Sequence, residues 1–235
     1  MGSLNTGNNE RFVQDIEEAC KQFPKFEAAS RDDGVVFLRG ELDIVDRDGK
    51  FWESYQIEIH PTDEYPSRFP LVYETSGKLP PIGDWHINED TKTCCITVLP
   101  EEILICKGGI TLSQFLQNNV TPYFFNQTFR RVEGYYCNGE YAHGTYGVFQ
   151  YYDNILSSGN DLRKAIKLMI QIARGQRPGR THNCFCGSNV KFRKCHREAF
   201  DKLEGIGKNN LLGHAYAFAK ESGHVDLCRL IEKEY

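Results

Sequence analysis

The sequence has no apolar run long enough to cross a membrane. Its longest apolar stretches fall short of the roughly 18 residues that a spanning helix needs, and the opening MGSLNTGNNE has neither the basic nor the apolar region of a signal peptide. It also lacks a glycine-rich phosphate-binding loop, a heptad run and an internal repeat. We therefore expect a cytoplasmic protein that has no membrane partner and does not itself use ATP to activate a carboxylate.

An excess of one charge, typical of disordered chains, is also missing. Of the 235 residues, 40% are hydrophobic and 26% are charged, and the formal net charge is -4. The charges are unevenly placed, because residues 1–160 hold 13 Lys/Arg against 24 Asp/Glu, whereas residues 161–202 hold 11 against 3. This asymmetry indicates two parts with different partners. A basic stretch is more often a solvated face than a nucleic-acid site, so nucleic acid is not expected as a partner.

Complete disulfide pairing is excluded, because the number of cysteines is odd. Nine cysteines are many for a cytoplasmic protein of this length, and cytoplasmic thiols normally stay reduced. Metal binding or thiol chemistry is therefore the leading interpretation. Several of the cysteines form two clusters, one around Cys95 and one around Cys184.

The hydrophobic periodicity of the first 75 residues predicts an α+β fold. Residues 10–23 place apolar side chains on one helix face, and the opposite face is acidic, with Asp15, Glu17 and Glu18. Two alternating runs on either side of the turn at residues 46–49 predict a β-hairpin, and a third short strand is expected soon afterwards, at residues 71–73.

A long irregular stretch follows, and chemistry is expected there first. Residues 82–110 are rich in polar groups and contain three cysteines. Helices are predicted from Thr111 to about Tyr123 and again over residues 161–173. The glycines and proline of residues 174–180 indicate a linker.

The first cysteine cluster contains a nucleophile and an amide donor. His86, Asn88, Cys94 and Cys95 lie within ten residues. A cysteine thiolate attacks acyl carbons, and the asparagine amide can stabilise the oxyanion that results. No carboxylate obviously orients His86, so a papain-like triad is poorly supported. The alternative without chemistry is a pair of buried cysteines at the end of a strand.

The order of elements and residues resembles the ubiquitin-conjugating enzyme family. That family has a Tyr-Pro followed by another proline, a His-Pro-Asn motif, and an acceptor cysteine that begins a Cys-Leu-x-x-Leu pattern. The corresponding segments here are Tyr65-Pro66 with Pro70, His86-Ile87-Asn88, and Cys95-Ile96-Thr97-Val98-Leu99. The resemblance covers roughly residues 8–130. Ile87 replaces the family proline, the interval from Asn88 to Cys95 is one residue shorter, and the glycine usual in that interval is missing.

The resemblance implies an antiparallel meander flanked by helices and a cysteine acyltransferase. Cys95 would accept a ubiquitin-like protein, or another protein C-terminus, as a thioester from a ubiquitin-activating-enzyme-like partner and pass it to an acceptor protein. Asn88 would stabilise the oxyanion, and His86 belongs to the same motif. Cys95 is favoured over Cys94 because it precedes an aliphatic residue, and adjacent side chains in an extended chain point to opposite faces.

Two other functions remain open for the same fold. A non-catalytic adaptor that binds ubiquitin-like proteins would make Cys95 incidental. A cysteine hydrolase that cleaves conjugates would need a histidine close to the Cys95 sulfur and oriented by a carboxylate.

The second cluster supplies four metal ligands within thirteen residues. Cys184, Cys186, Cys195 and His196 form a C-x-C-x8-C-H run, and three thiolates with one imidazole suit a closed, structural zinc site. The run resembles the small SEC-C zinc motif at the C-terminus of the SecA translocase, which is a binding module. Because such a knuckle has few apolar groups, we expect it to have little core of its own and to depend on zinc for its fold.

These observations predict three parts. Residues 1–135 form the ubiquitin-conjugating-enzyme-like domain, residues 136–180 a helical extension and linker, and residues 181–235 the zinc motif with C-terminal helices. Because the zinc motif is chiefly bacterial, the resemblance implies a bacterial relative that works in an antiphage defence system.

Overall fold

The computed structural model describes the backbone of residues 6–235 and side chains from Glu10 onward. This part of the chain separates into two compact units. Unit 1 comprises the chain up to Thr97 together with Ile105–Glu140, and unit 2 comprises Val98–Leu104 and Tyr141–Tyr235. The division differs from the three parts predicted from the sequence, because residues 141–180 of the predicted extension fall in the same unit as residues 181–235, which include the metal-binding segment predicted at residues 184–196.

Unit 1 contains a four-stranded antiparallel meander in the order β1-β2-β3-β4. The strands are β1 (Phe26–Ser30), β2 (Val36–Val45), β3 (Phe51–His60) and β4 (Leu71–Glu74). The predicted hairpin corresponds to β2 and β3, and the third predicted strand to β4. β1 was not predicted, because the sequence Phe-Glu-Ala-Ala-Ser has neither strict alternation nor β-branched residues. The sheet and the surrounding helices confirm the α+β class.

Helices cover the sheet of unit 1. Helix α1 spans Thr6–Gln22, and a continuous helical segment comprises α3 (Leu112–Phe115), a π-helical turn (Leu116–Val120) and α4 (Thr121–Glu133). A capping box between Thr111 and Gln114 begins the segment where predicted. The segment continues past the predicted end at Tyr123 to Glu133, and Pro122 lies two residues after the end of the π-helical turn.

Asp15 does not belong to an exposed acidic face, contrary to the sequence-based expectation. It is only 6% exposed and accepts a hydrogen bond from the hydroxyl of buried Tyr65. The Asp15 carboxylate also pairs with Arg11, whose Nε atom lies 3.3 Å from Asp15 Oδ1. A buried carboxylate requires such partners to offset its lost hydration. The exposed acidic face of α1 therefore includes Glu17 and Glu18 without Asp15.

Tyr65→Phe is expected to lower the free energy of unfolding by about 1–3 kcal/mol, because it leaves the buried Asp15 carboxylate without its hydroxyl donor. Urea denaturation measures the change, and Tyr135→Phe serves as the control, since the Tyr135 side chain is exposed. Equal stabilities of the two variants would contradict a structural role for the Tyr65–Asp15 hydrogen bond.

Unit 2 is helical and has its own core. Its helices are α2 (Leu99–Ile105, whose last residue belongs to unit 1), α5 (Gly144–Leu156), α6 (Leu162–Ala173), α7 (Arg197–Leu203), α8 (Lys208–Glu221) and α9 (Val225–Glu232). The strongly amphipathic α6 lies at the centre and packs against α5, α8 and α9. Residues 174–180, predicted as a linker, form the turn that follows α6 within the unit. No helix of the described residues has the length and apolar character needed to cross a membrane.

Candidate functional site

The segment from His86 to Cys95 folds back on itself beside the sheet of unit 1. Ile87 pairs with Cys94 in an antiparallel bridge. On either side of that bridge, the Cys95 N–H donates to the His86 carbonyl at 2.8 Å and the Asn88 N–H to the Thr93 carbonyl at 2.9 Å. The Cys94 N–H donates to the carbonyl of Val72 in β4, at 2.8 Å. The loop is therefore held against the edge strand of the sheet.

The two adjacent cysteines differ in burial and acidity. Cys94 is 8% exposed, and burial raises the pKa of its thiol to about 12. Cys95 is exposed. Partial desolvation raises the pKa of the Cys95 thiol above its usual value, and the Asn88 backbone N–H works against this rise by stabilising the thiolate. Of the two sulfur atoms, the one in Cys95 is accessible to a reactant.

The carboxamide of Asn88 is fixed in one orientation. Its Oδ1 accepts the backbone N–H of Asp90 at 3.0 Å and that of Thr91 at 2.9 Å. Because an N–H group donates only to an acceptor, these bonds assign Oδ1 to the turn and leave Nδ2 as the donor end of the carboxamide. Lys92, with a φ of 60°, adopts the left-handed conformation that a glycine would usually supply in such a loop.

His86 has a carboxylate partner that the sequence did not reveal. The Nε2 atom of His86 lies 2.8 Å from Oε2 of Glu140, which is 54 positions away in the chain. The backbone of His86 is left-handed, with a φ of 50°, and its carbonyl also accepts the Tyr123 hydroxyl at 3.0 Å. No local spacing signal links His86 with Glu140, so the expectation that no carboxylate orients His86 is wrong.

Helix α4 supports the residues that precede His86. The Arg130 guanidinium lies over the Trp85 ring at 4.3 Å and over the Tyr136 ring at 4.8 Å, and it pairs with Asp84. Stacking of this kind stabilises a partly buried guanidinium. Arg130 therefore holds the start of the loop on the helix, and the contacts of the loop with β4 hold its end.

The four predicted metal ligands lie together in unit 2. One ligand atom from each of Cys184, Cys186, Cys195 and His196 lies within 4.8 Å of all the others. His196 Nδ1 is 3.4 Å from Cys184 Sγ and 3.1 Å from Cys195 Sγ, and the sulfurs of Cys186 and Cys195 are 3.6 Å apart. These separations suit a tetrahedral ion at about 2.0–2.3 Å from each ligand. The cluster can therefore hold a metal ion.

A hydrogen bond to the backbone orients the His196 ring for metal binding through Nδ1. Its Nε2 lies 2.9 Å from the carbonyl oxygen of Leu156, the last residue of α5. Because a carbonyl oxygen only accepts, Nε2 carries the proton, and the neutral ring keeps its lone pair on Nδ1. Nδ1 is the atom that faces the thiols of Cys184 and Cys195. Such hydrogen bonds orient metal-binding histidines.

The metal-binding segment shares the core of unit 2, contrary to the expectation of a knuckle with little core. The Phe192 ring lies 6.0 Å from Phe185 and 5.9 Å from Phe200 of α7, and Phe192 and Phe200 are almost fully buried. These rings belong to the same cluster as the buried face of α6. Apolar packing with the core of unit 2 therefore stabilises the segment.

The chain matches no protein-family model and no curated protein. Among solved structures it is similar to the yeast Vps23 UEV domain, crystallised in complex with a Vps27 PSDP peptide. The sequences are 11% identical, the TM-score is 0.34, and the match covers 52% of this chain and 81% of that chain. So low a TM-score supports no conclusion about function, and the assignment below depends on the residues of this chain.

Proposed function

We propose that the chain is a ubiquitin-conjugating-enzyme-like acyltransferase that carries a ubiquitin-like protein, or another protein C-terminus, as a thioester on Cys95. The observation that carries the proposal is the exposed Cys95 thiol, held in a backbone pairing with the segment that contains His86 and Asn88, next to a buried Cys94. A thiol accepts an acyl group from another thioester without a dedicated base, because the exchange needs only a small thiolate fraction.

Discharge of the Cys95 thioester passes through a tetrahedral intermediate. A thiol whose pKa is raised forms a thioester with a poorer leaving group, so the tetrahedral intermediate requires stabilisation. In the proposed reaction, Nδ2 of Asn88 donates a hydrogen bond to the developing oxyanion. The two hydrogen bonds to Oδ1 preorganise the carboxamide before the acyl group arrives.

Asn88→Asp is expected to leave loading of Cys95 intact and to slow discharge about 10²–10³-fold. The aspartate retains an oxygen for the Asp90 and Thr91 N–H groups, but it lacks the Nδ2 donor. Single-turnover discharge of the isolated adduct measures the effect. Asn138→Asp adds the same charge at another exposed position of unit 1 and is the control. Equal discharge rates for wild type and Asn88→Asp would contradict the role of Asn88.

The test of the proposed function is adduct formation. Incubation with ATP, a ubiquitin-like protein and its activating enzyme should give an adduct that thiol reductant removes. Without the activating enzyme no adduct should form, because the sequence offers no phosphate-binding loop for adenylation. A ubiquitin-like protein that binds tightly to wild type and Cys95→Ala alike, and forms no adduct with either, would instead indicate an adaptor.

The hydrogen bond between His86 and Glu140 favours a second candidate, a cysteine hydrolase. In hydrolases of this kind a carboxylate orients the histidine that works with the cysteine. Cleavage of a preformed conjugate by the isolated chain, in the absence of any activating enzyme, would replace the transferase assignment with this one.

For the metal centre we propose structural zinc, held by Cys184, Cys186, Cys195 and His196. Three thiolates and an imidazole complete a tetrahedral set and leave no open position for a reactant. When bound, the zinc ion would supply cross-linking of the segment and no chemistry of transfer. A bacterial origin, a place in antiphage defence and a cytoplasmic location stay predictions from the resemblance and the sequence.

A further inference from the structure

We propose that His86, oriented by Glu140, is the base that accepts a proton from the nucleophile that discharges the Cys95 thioester. The inference rests on the proposed function and assigns a proton acceptor to the same site. In this role His86 is a catalytic residue, because it contacts the reacting nucleophile, and Glu140 is a positioning residue.

The backbone pairing places His86 opposite Cys95. The antiparallel bridge joins Ile87 to Cys94, and the next pair along both segments is His86 and Cys95, linked by the 2.8 Å hydrogen bond from the Cys95 N–H. The regular pairing ends at His86, because its backbone is left-handed, with a φ of 50°, and its own N–H donates to the carbonyl of Gly83 at 2.7 Å. Ile87 and Cys94 are buried. Cys95 is exposed and His86 is half-buried, so the backbone hydrogen bond brings an accessible thiol next to the residue that carries the imidazole.

The contact with Glu140 determines which nitrogen of the neutral His86 ring carries the proton. A carboxylate only accepts hydrogen bonds, so Nε2 of the neutral imidazole carries the proton and Nδ1 carries the lone pair. When Nδ1 takes a second proton, the imidazolium is stabilised by the Glu140 carboxylate, 2.8 Å from Nε2. The Tyr136 ring, 5.3 Å from the imidazole centroid, packs against His86 and restricts its rotation.

The proposed step balances without any cofactor. The amine nitrogen of the acceptor attacks the thioester carbon, and the carbonyl oxygen becomes the oxyanion beside Asn88. A proton on that nitrogen passes to Nδ1 of His86. Collapse of the intermediate re-forms the carbonyl and breaks the C–S bond, so that the acyl group is joined to nitrogen as an amide. The Cys95 thiolate then takes the proton from the imidazolium, and the site returns to its starting state.

The choice of nucleophile distinguishes a base from a merely structural pair. The lysine amine is protonated at neutral pH and must lose protons to react, whereas hydroxylamine is already unprotonated and depends much less on a base. Loss of the base should therefore slow discharge to lysine far more than discharge to hydroxylamine. A distorted or loosened site should slow discharge to both nucleophiles alike.

The experiment compares His86→Asn and Glu140→Gln with wild type, each charged on Cys95 with a ubiquitin-like protein and mixed with free lysine or hydroxylamine. Asparagine tolerates the left-handed backbone of residue 86. We expect normal loading in both variants. Discharge to lysine should fall about 10²-fold or more in His86→Asn, and about tenfold in Glu140→Gln, with little change for hydroxylamine. Glu133→Gln, at the exposed end of α4, is the matched control.

The outcomes separate this inference from the proposed function. Normal discharge to lysine by Glu140→Gln and His86→Asn would contradict the role of His86 as a base. Equal slowing of discharge to lysine and to hydroxylamine would contradict it as well. Neither result would contradict the proposed thioester on Cys95. Failure of wild type to form any Cys95 adduct would overturn the proposed function itself. If His86→Asn does not fold, Glu140→Gln still decides the question, because the Glu140 side chain is 48% exposed and its replacement keeps the shape of the residue.

Discussion

Cys95→Ala is expected to abolish the reducible adduct with a ubiquitin-like protein completely. In the proposed function the sulfur of Cys95 forms the acyl bond. Its neighbour Cys94 is a poor substitute, because burial raises the pKa of the Cys94 thiol to about 12 and only 8% of the residue is exposed. Cys95→Ser tests the chemistry further. A serine ester, if it forms, should resist the thiol reductant that removes the wild-type adduct. Intact-mass measurement with and without reductant reports both results.

Two cysteine variants serve as controls for Cys95→Ala. Cys137 is an exposed cysteine of unit 1, and its Sγ atom lies 3.4 Å from Asn126 Oδ1. Cys137→Ala should form the adduct at the wild-type rate. Cys94→Ala should also form it, with a loss of stability of about 1 kcal/mol from the buried side chain. An adduct that persists in Cys95→Ala, or disappears in Cys94→Ala while that variant remains folded, would overturn the assignment.

Cys195→Ser is expected to abolish binding of the proposed zinc ion and to destabilise unit 2 severely. Structural zinc binding contributes on the order of 10 kcal/mol, which is comparable to the whole net stability of a domain. Because Phe192 and Phe200 join the metal-binding segment to the core around α6, the loss should spread beyond the segment itself. Metal analysis should find one zinc ion per chain in wild type and none in the variant. Hydrogen exchange should show loss of amide protection in unit 2.

His182→Ala is the matched control for the metal centre. His182 lies two positions before Cys184 but is not among the ligands that converge in the described residues. The variant should retain one zinc ion per chain and wild-type hydrogen exchange. Wild-type protein that binds no metal and keeps full amide protection over residues 184–196 would contradict the zinc centre.

Features with a local pattern were predictable from the sequence. The β2–β3 hairpin follows from alternation around a turn, and the cluster of three cysteines and one histidine that could hold a metal ion follows from their spacing within thirteen residues. The predicted linker at residues 174–180 shows where local signals fail. Its glycines and proline indicate a turn correctly, but they do not show that the segments on both sides pack into one core.

Features that depend on distant partners were not predictable. Asp15 lies on a helix face with other acidic residues, and only the approach of Tyr65, fifty positions later, explains its burial. Glu140 meets His86 across 54 positions, with no periodicity to reveal the contact. Likewise, the sequence could name His86, Asn88 and Cys95 as candidates from their order, but their placement requires the pairing of the loop with β4.

The most direct test is to locate the acyl bond in the adduct formed by wild-type protein with ATP, a ubiquitin-like protein and its activating enzyme. Proteolysis at mildly acidic pH without reductant, followed by tandem mass spectrometry, preserves a thioester. The proposed function predicts that the C-terminal residues of the ubiquitin-like protein are attached to the sulfur of Cys95. Attachment to another cysteine, or to a lysine with Cys95 unmodified throughout the time course, would contradict it.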